Sequence, residues 1–169
     1  DAARQTDVKS RYREFRAANF AMPQALGSET PKFDDSIHDV SEEERLRRFE
    51  NAWERGGTLF MSSFNDVLLD ESANVYAQDF VREKISQIVE DSQVAAKLTP
   101  EHIIGCKRLV IDTDYFETFN RSNVRLVDVS EDPIHKITSS GLATQEDEFE
   151  FDVLIFATGF DAMTGSILR

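Results

Sequence analysis

Lys107 and Arg108 stand side by side in Gly105-Cys106-Lys107-Arg108-Leu109-Val110-Ile111-Asp112, two cations leading into a short apolar run. A guanidinium stays charged at any working pH and offers a planar set of donors, while an ammonium is a compact point charge. The chemistry open to such a pair is the holding of anions. Without its surroundings the pair reads as ordinary solvated charge at a strand edge. Cys106 has a basic neighbour of the kind that lowers a thiol pKa, but no base or acceptor is placed beside it. His38, His102 and His135 fall in three separate segments without metal-ligand spacing, so neither a chemical role nor a metal is assigned to them. The other informative stretch is Phe151 to Asp161. Val153-Leu154-Ile155-Phe156 is a continuous apolar run that suits a strand buried on both faces. Ala157-Thr158-Gly159 follows, and Gly159 lets the backbone bend sharply or approach a ligand closely.

The elements that must position these residues change character near residue 100. Before it the patterns are helical. Asp7 to Ala21 is a charged segment with Tyr12, Phe15, Ala18 and Met22 at helical spacing, stopped by Pro23. Residues 24–40 are polar and read as a loop. Ser41 to Glu44 has capping-box spacing, with Ser41 bonding the first-turn amides and Glu44 reaching back. The helix that follows places Leu46, Phe49 and Trp53 on one face and ends at Gly56-Gly57. Leu59, Phe60, Met61 and Phe64 form an apolar connector. A longer helix from about Asp70 to Val89 carries Ala73, Ala77, Phe80, Val81, Ile85, Ile88 and Val89 as its buried stripe. Asp91 or Ser92 caps a short helix with Val94 and Leu98 before Pro100. The aromatic stripes read as core, not as cofactor contacts.

From residue 105 onward the texture is strand and turn. Leu109 to Ile111 is a short β run, Tyr115 to Phe119 one helical turn ending at Asn120, and Val124 to Val129 an alternating strand. Ile134 to Thr138, Leu142 to Thr144 and Phe149 to Phe151 are short strands. Ser139-Ser140-Gly141 and Gln145 to Glu148 separate them, which predicts an antiparallel meander before the buried Val153 to Phe156 strand.

The 169 residues suffice for one ordinary domain with a real core. With 19 basic and 32 acidic residues the net charge is −13, which argues against nucleic-acid or anionic-membrane partners. A single cysteine forms no internal disulfide and favours a reducing, cytoplasmic setting. No apolar run approaches the ~20 residues that span a bilayer, and no signal peptide is visible. A chain that begins at Asp1 is expected to be a fragment, a trimmed piece or a processed product.

Three stretches in order make the pattern specific. They are Gly105 to Asp112, then Asp114-Tyr115-Phe116-Glu117-Thr118-Phe119-Asn120-Arg121-Ser122-Asn123-Val124, then Asp152 to Gly165. Upstream stand Trp53-Glu54-Arg55-Gly56-Gly57 with Phe60, Ala73-Asn74, Phe80-Val81-Arg82 and Lys84-Ile85. Together they resemble the Baeyer–Villiger monooxygenases, clearly from about Phe49 to the C-terminus and weakly before Ser41. The resemblance implies an α/β fold, part of a flavoprotein with two dinucleotide-binding domains. Residues 1–100 would be a helical subdomain inserted in the NADPH domain. Residues 101–169 would be the Rossmann-like closing half with its β-meander and the linker toward the FAD domain.

The same resemblance implies the chemistry. In such enzymes NADPH reduces FAD, the reduced flavin captures O₂ as a C4a-peroxide, and the peroxide attacks a ketone to give an ester or lactone. A nucleophilic peroxide must stay deprotonated, which calls for a fixed cation beside it. Arg108 matches the family's active-site arginine, and Lys107 the lysine used near the 2′-phosphate ribose of NADP. Thr158, Gly159 and Asp161 match the interdomain linker and are assigned to cofactor positioning. Tyr115, Glu117, Asn120 and Arg121 match a family signature whose expected role is structural. The family's Phe-x-Gly-x-x-x-His-x-x-x-Trp fingerprint and any Gly-x-Gly-x-x-Gly loop are missing from the sequence, as are the FAD domain and the substrate wall. The resemblance thus covers roughly the middle third of a full enzyme, and the segment alone is expected to be inactive. The other readings are a sister flavoprotein that oxygenates nitrogen or sulfur, and a non-catalytic acidic helical interaction module.

Overall fold

A computed structural model describes residues 2–21, 33–56, 59–107, 109–157 and 159. The chain divides into two compact units, residues 1–124 and 125–169.

In the first unit, α1 (Ala2–Ser10) and α2 (Tyr12–Ala21) replace the single helix predicted from Asp7. Backbone bonds bridge the interruption, with Arg11 N–H donating to Asp7 at 3.1 Å and Phe15 N–H to Arg11 at 2.9 Å. The predicted core stripe here is corrected. Tyr12 is 56% and Phe15 39% exposed, and no described residue of α2 is buried. Helical spacing creates an apolar face, but only a covering element buries it. Met22 lies outside the described residues.

Helix α3 (Glu42–Arg55) starts where predicted, with Ser41 Oγ accepting the Glu44 N–H at 3.3 Å. The reciprocal half of the capping box is replaced. The Glu44 carboxylate instead accepts from Arg47 and Arg48, each at 2.7 Å. Arg48 also pairs bidentately with Asp35 at 2.7–2.8 Å and lies over the Phe33 and Phe64 rings. The two arginines hold the Glu44 carboxyl down at about 2, and the Arg48 hydrogen bond likewise lowers Asp35. Gly56 is the C-cap of α3, while Gly57 lies outside the described residues. The buried face is Phe49 and Ala52, with Trp53 half-buried, and Leu46 is exposed because it sits beyond the contact stripe.

Helix α4 (Glu71–Ile88) is capped by Asp70, whose carboxylate accepts the Ser72 and Ala73 N–H groups. Ala73, Ala77 and Phe80 meet α3 and the Phe60–Phe64 connector in one aromatic core. Phe49 lies 4.9 Å from Phe60 and 5.3 Å from Phe80 by ring centroids. Lower on α4, Ile85 joins Val89 and Ala95 of α5 (Ser92–Leu98) in a second cluster, against which Phe116 packs. Asp91 caps α5.

The second unit contains β1 (Ile134–Ile137), β2 (Gly141–Thr144) and β3 (Glu148–Glu150), an antiparallel meander in sequential order. The predicted meander is therefore present. Its register pairs Ile137 with Leu142 and Leu142 with Phe149. Asp132 accepts the Gln145 and Glu146 N–H groups and so holds the β2–β3 turn. The buried strand predicted over Val153 to Phe156 is corrected. That segment pairs with no strand among the described residues, and Val153, Ile155 and Phe156 are 72, 81 and 69% exposed. Residues 109–111 and 124–128 are likewise not assigned to strands. A strand needs a hydrogen-bonded neighbour, and an apolar run specifies the need without supplying the neighbour.

Candidate functional site

Thr99 closes α5, its hydroxyl donating to the Ala95 carbonyl at 2.8 Å, and the chain passes through Pro100 into the turn that leads to Lys107. Inside that turn, Cys106 N–H donates to the Ile103 carbonyl at 3.1 Å. Gly105 has φ +97°, and a Cβ there would stand 2.7 Å from Leu68 Cδ2. The positive φ is what calls for glycine, since the exposed Leu68 side chain can turn aside.

One side chain anchors this turn to the helical core. Asn74, on α4 and 1% exposed, donates from Nδ2 to the Val67 carbonyl at 2.8 Å and the Ile104 carbonyl at 2.9 Å. Its Oδ1 accepts the Ile104 N–H at 3.0 Å and the Gln78 amide at 3.0 Å. Every hydrogen-bonding position of the buried amide is used. The sequence reading of the buried stripe passed over Asn74. Its signal was a polar residue next to Ala73 and three before Ala77, inside an otherwise apolar face.

Lys107 is exposed at the end of the anchored turn. Arg108, the next residue, lies outside the described residues, as do Thr158 and Asp161. Gly159 is exposed, with φ +81° and, among the described residues, nothing within 4 Å of where a Cβ would stand. The structure thus joins Asn74 to Ile104 at the start of the turn whose last residue is Lys107.

Val110 and Ile111 are exposed, and the carboxylate of Asp112 accepts the Tyr115 N–H at 3.1 Å. Asp114 has φ +57°, a tight-turn conformation that Asp tolerates better than most residues. The 3₁₀ turn Glu117–Asn120 follows. Asn120 reaches back to the end of α4, which is a structural role. Tyr115 and Glu117 are exposed. Among the described residues no group of His, Cys, Asp and Glu has a metal-binding arrangement, and no helix is long and apolar enough to cross a membrane.

As chemistry, this arrangement offers a rigid backbone turn with a cation at its exit. The ammonium is free of burial and suits a phosphate, for which a point charge suffices. The open, left-handed Gly159 suits close approach by a ligand.

No family model matches the chain. Over 133 residues it is 47% identical to 2-oxo-Δ³-4,5,5-trimethylcyclopentenylacetyl-CoA monooxygenase of Pseudomonas putida, covering 78% of this chain and 24% of that protein. Cyclohexanone 1,2-monooxygenase of Acinetobacter is 44% identical over 133 residues, again 24% of its length, and a phenazine N-monooxygenase of Lysobacter antibioticus is 46% identical over 134 residues, 25% of its length. The chain therefore spans about a quarter of the curated relatives it matches. Among solved structures, an oxidised steroid monooxygenase bound to NADP superposes with a TM-score of 0.86 at 42% identity, over 99% of this chain and 32% of that one. A crystal structure of OTEMO in complex with FAD and NADP gives 0.85 at 37% identity, over 99% and 31%. By sequence and by fold the chain is an α/β segment homologous to the Baeyer–Villiger monooxygenases.

Proposed function

We propose that this chain is the helical insertion (residues 1–100) and the closing half (residues 101–169) of the NADPH domain of a flavoprotein monooxygenase. The parent enzyme inserts oxygen beside a ketone carbonyl, with NADPH and O₂ as co-substrates and FAD as cofactor, in a reducing cytoplasmic setting. The observation that carries this reading is the anchored turn of residues 104–107, which presents Lys107 directly before Arg108. It is supported by relatives named as monooxygenases of cyclic ketones.

Lys107 holds the 2′-phosphate of the coenzyme and so separates NADPH from NADH. Arg108 supplies a permanent planar charge for the anionic reacting oxygen. Thr158, Gly159 and Asp161 lie on the linker toward the FAD domain and hold the backbone near the cofactors. When bound, FAD and NADPH supply the hydride transfer and the oxygen activation.

The test is made in the full-length enzyme. Arg108→Ala is expected to retain FAD and lose ester formation by at least ~10²-fold, and Arg108→Lys to restore little. Ketone oxygenation near the wild-type rate in Arg108→Ala would remove the assigned role. The segment purified alone is expected to retain no flavin through gel filtration.

A second reading rests on the phenazine N-monooxygenase relative. Nitrogen oxygenation would use the same NADPH turn. Product analysis with a cyclic ketone and with an aromatic N-heterocycle separates the two readings, because only the first yields a lactone.

A further inference from the structure

Asn74 sits where packing alone calls for an apolar residue. Its neighbours on the stripe, Ala73 and Ala77, are fully buried, and asparagine is a weak helix former. A buried carboxamide is tolerated when every donor and acceptor is matched, and here they are. The match is also specific in form. Asn74 takes both the N–H and the C=O of Ile104, a two-point pairing that holds the two peptide groups flanking that residue in direction as well as in distance. The third bond, to the Val67 carbonyl, ties the same amide to the chain just before α4.

Only Gly105 and Cys106 separate Ile104 from Lys107. Gly105 supplies the φ of +97° that the turn requires, and the Cys106 N–H closes the turn back onto the Ile103 carbonyl, next to the clamped residue. Orientation set at Ile104 is therefore carried through to the backbone of Lys107. We propose that Asn74 is a positioning residue for coenzyme selection: by clamping Ile104 to α4 it fixes the turn that delivers Lys107 to the coenzyme 2′-phosphate. This inference rests on the role given to Lys107 above.

The experiment uses the full-length, flavin-loaded enzyme in its oxidised form, titrated with NADP⁺ and separately with NAD⁺ by the change in flavin absorbance. The readout is the ratio of the two dissociation constants, which a purely structural defect leaves unchanged while lowering the Tm. Lys107→Ala is expected to reduce the preference for NADP⁺ roughly tenfold or more, the loss of one charge-assisted contact. Asn74→Ala is expected to reduce it about threefold or more, with faster hydrogen exchange at the Ile104 amide. A wild-type ratio in Asn74→Ala, beside a reduced one in Lys107→Ala, overturns the inference and leaves the Lys107 reading intact. A wild-type ratio in Lys107→Ala overturns both. If Asn74→Ala yields no holoenzyme, Asn74→Ser decides, since its short uncharged side chain cannot reach both the N–H and the C=O of Ile104. A reduced ratio there supports the inference, and an unchanged one overturns it.

Discussion

The side-chain amide of Asn120 donates to the Ile88 carbonyl at 2.7 Å while its oxygen accepts the Glu90 N–H at 2.9 Å. These are backbone groups at the C-terminal end of α4, where helix carbonyls lack partners of their own. A residue 32 positions downstream thus finishes the helix. The same 3₁₀ turn is anchored by Phe116, which packs on the Ile85, Val89 and Ala95 cluster. The segment from Tyr115 to Arg121 therefore includes residues that hold the turn against α4.

Asn120→Ala should destabilise the first unit by about 1–2 kcal/mol, since both bonds are lost at an exposed site where water replaces part of them. Asn120→Asp keeps the acceptor for Glu90 but sets a carboxylate oxygen against the Ile88 carbonyl at the negative end of α4, so it should cost at least as much as Asn120→Ala. Urea denaturation followed by far-UV circular dichroism checks the order of the two. Equal stability of Asn120→Ala and wild type would show that the bridge contributes nothing.

Phe49 is 1% exposed and has ring contacts with Phe60, Phe64 and Phe80. Phe49→Ala should cost about 3–5 kcal/mol through lost burial and the cavity left behind. Tyr12→Ser, on the exposed face of α2, should stay within about 0.5 kcal/mol of wild type in this chain. Thermal unfolding of the two variants side by side tests the contrast between two aromatics that look alike in sequence.

Acid stability should report the Glu44 network. The folded carboxyl titrates at about 2, against 4.5 for the ordinary side chain. A depressed folded pKa contributes stability that is present in full above 4.5 and is lost as pH falls toward 2. Asp35 is lowered in the same direction by its hydrogen bond to Arg48. Glu44→Gln should therefore flatten the fall in urea midpoint between pH 5 and pH 2, roughly the window set by those two pKa values. An acid limb as steep in the variant as in wild type would place the titrating groups elsewhere.

Asp70 caps α4 by accepting the Ser72 and Ala73 N–H groups at 2.7 and 3.2 Å. Asp70→Ala should cost about 1 kcal/mol, within the usual range for a lost N-cap. Asp70→Ser should recover most of it. The comparison is made by chemical denaturation at neutral pH, and full stability in Asp70→Ala would mean that the first turn of α4 is held by other contacts.

Local chemistry in the sequence determined α3, α4, α5 and the β-meander. Ser41, Asp70 and Asp91 cap their own helices, the apolar stripe of α4 repeats at helical spacing, and the β2–β3 turn closes over a few residues. Each of these needs partners close in the chain, so the residues that specify the element also satisfy it. The cations at Lys107 and Arg108 were legible for the same reason, as residue types at a fixed spacing.

Tertiary structure decided what depends on distant partners. Asn74 meets Ile104 across 30 residues, Asn120 meets Ile88 across 32, and Arg48 leaves its own helix to pair with Asp35. No periodicity announces such pairs, because an amide or guanidinium is equally at home in water until the fold removes the water around it. Burial is decided in the same way. The apolar stripes of α2 and α4 both follow helical spacing, yet α4 has α3 to pack on, while Tyr12 and Phe15 remain exposed. The run from Val153 to Phe156 states a strand's appetite for neighbours on both sides, and only the surrounding backbone can provide them.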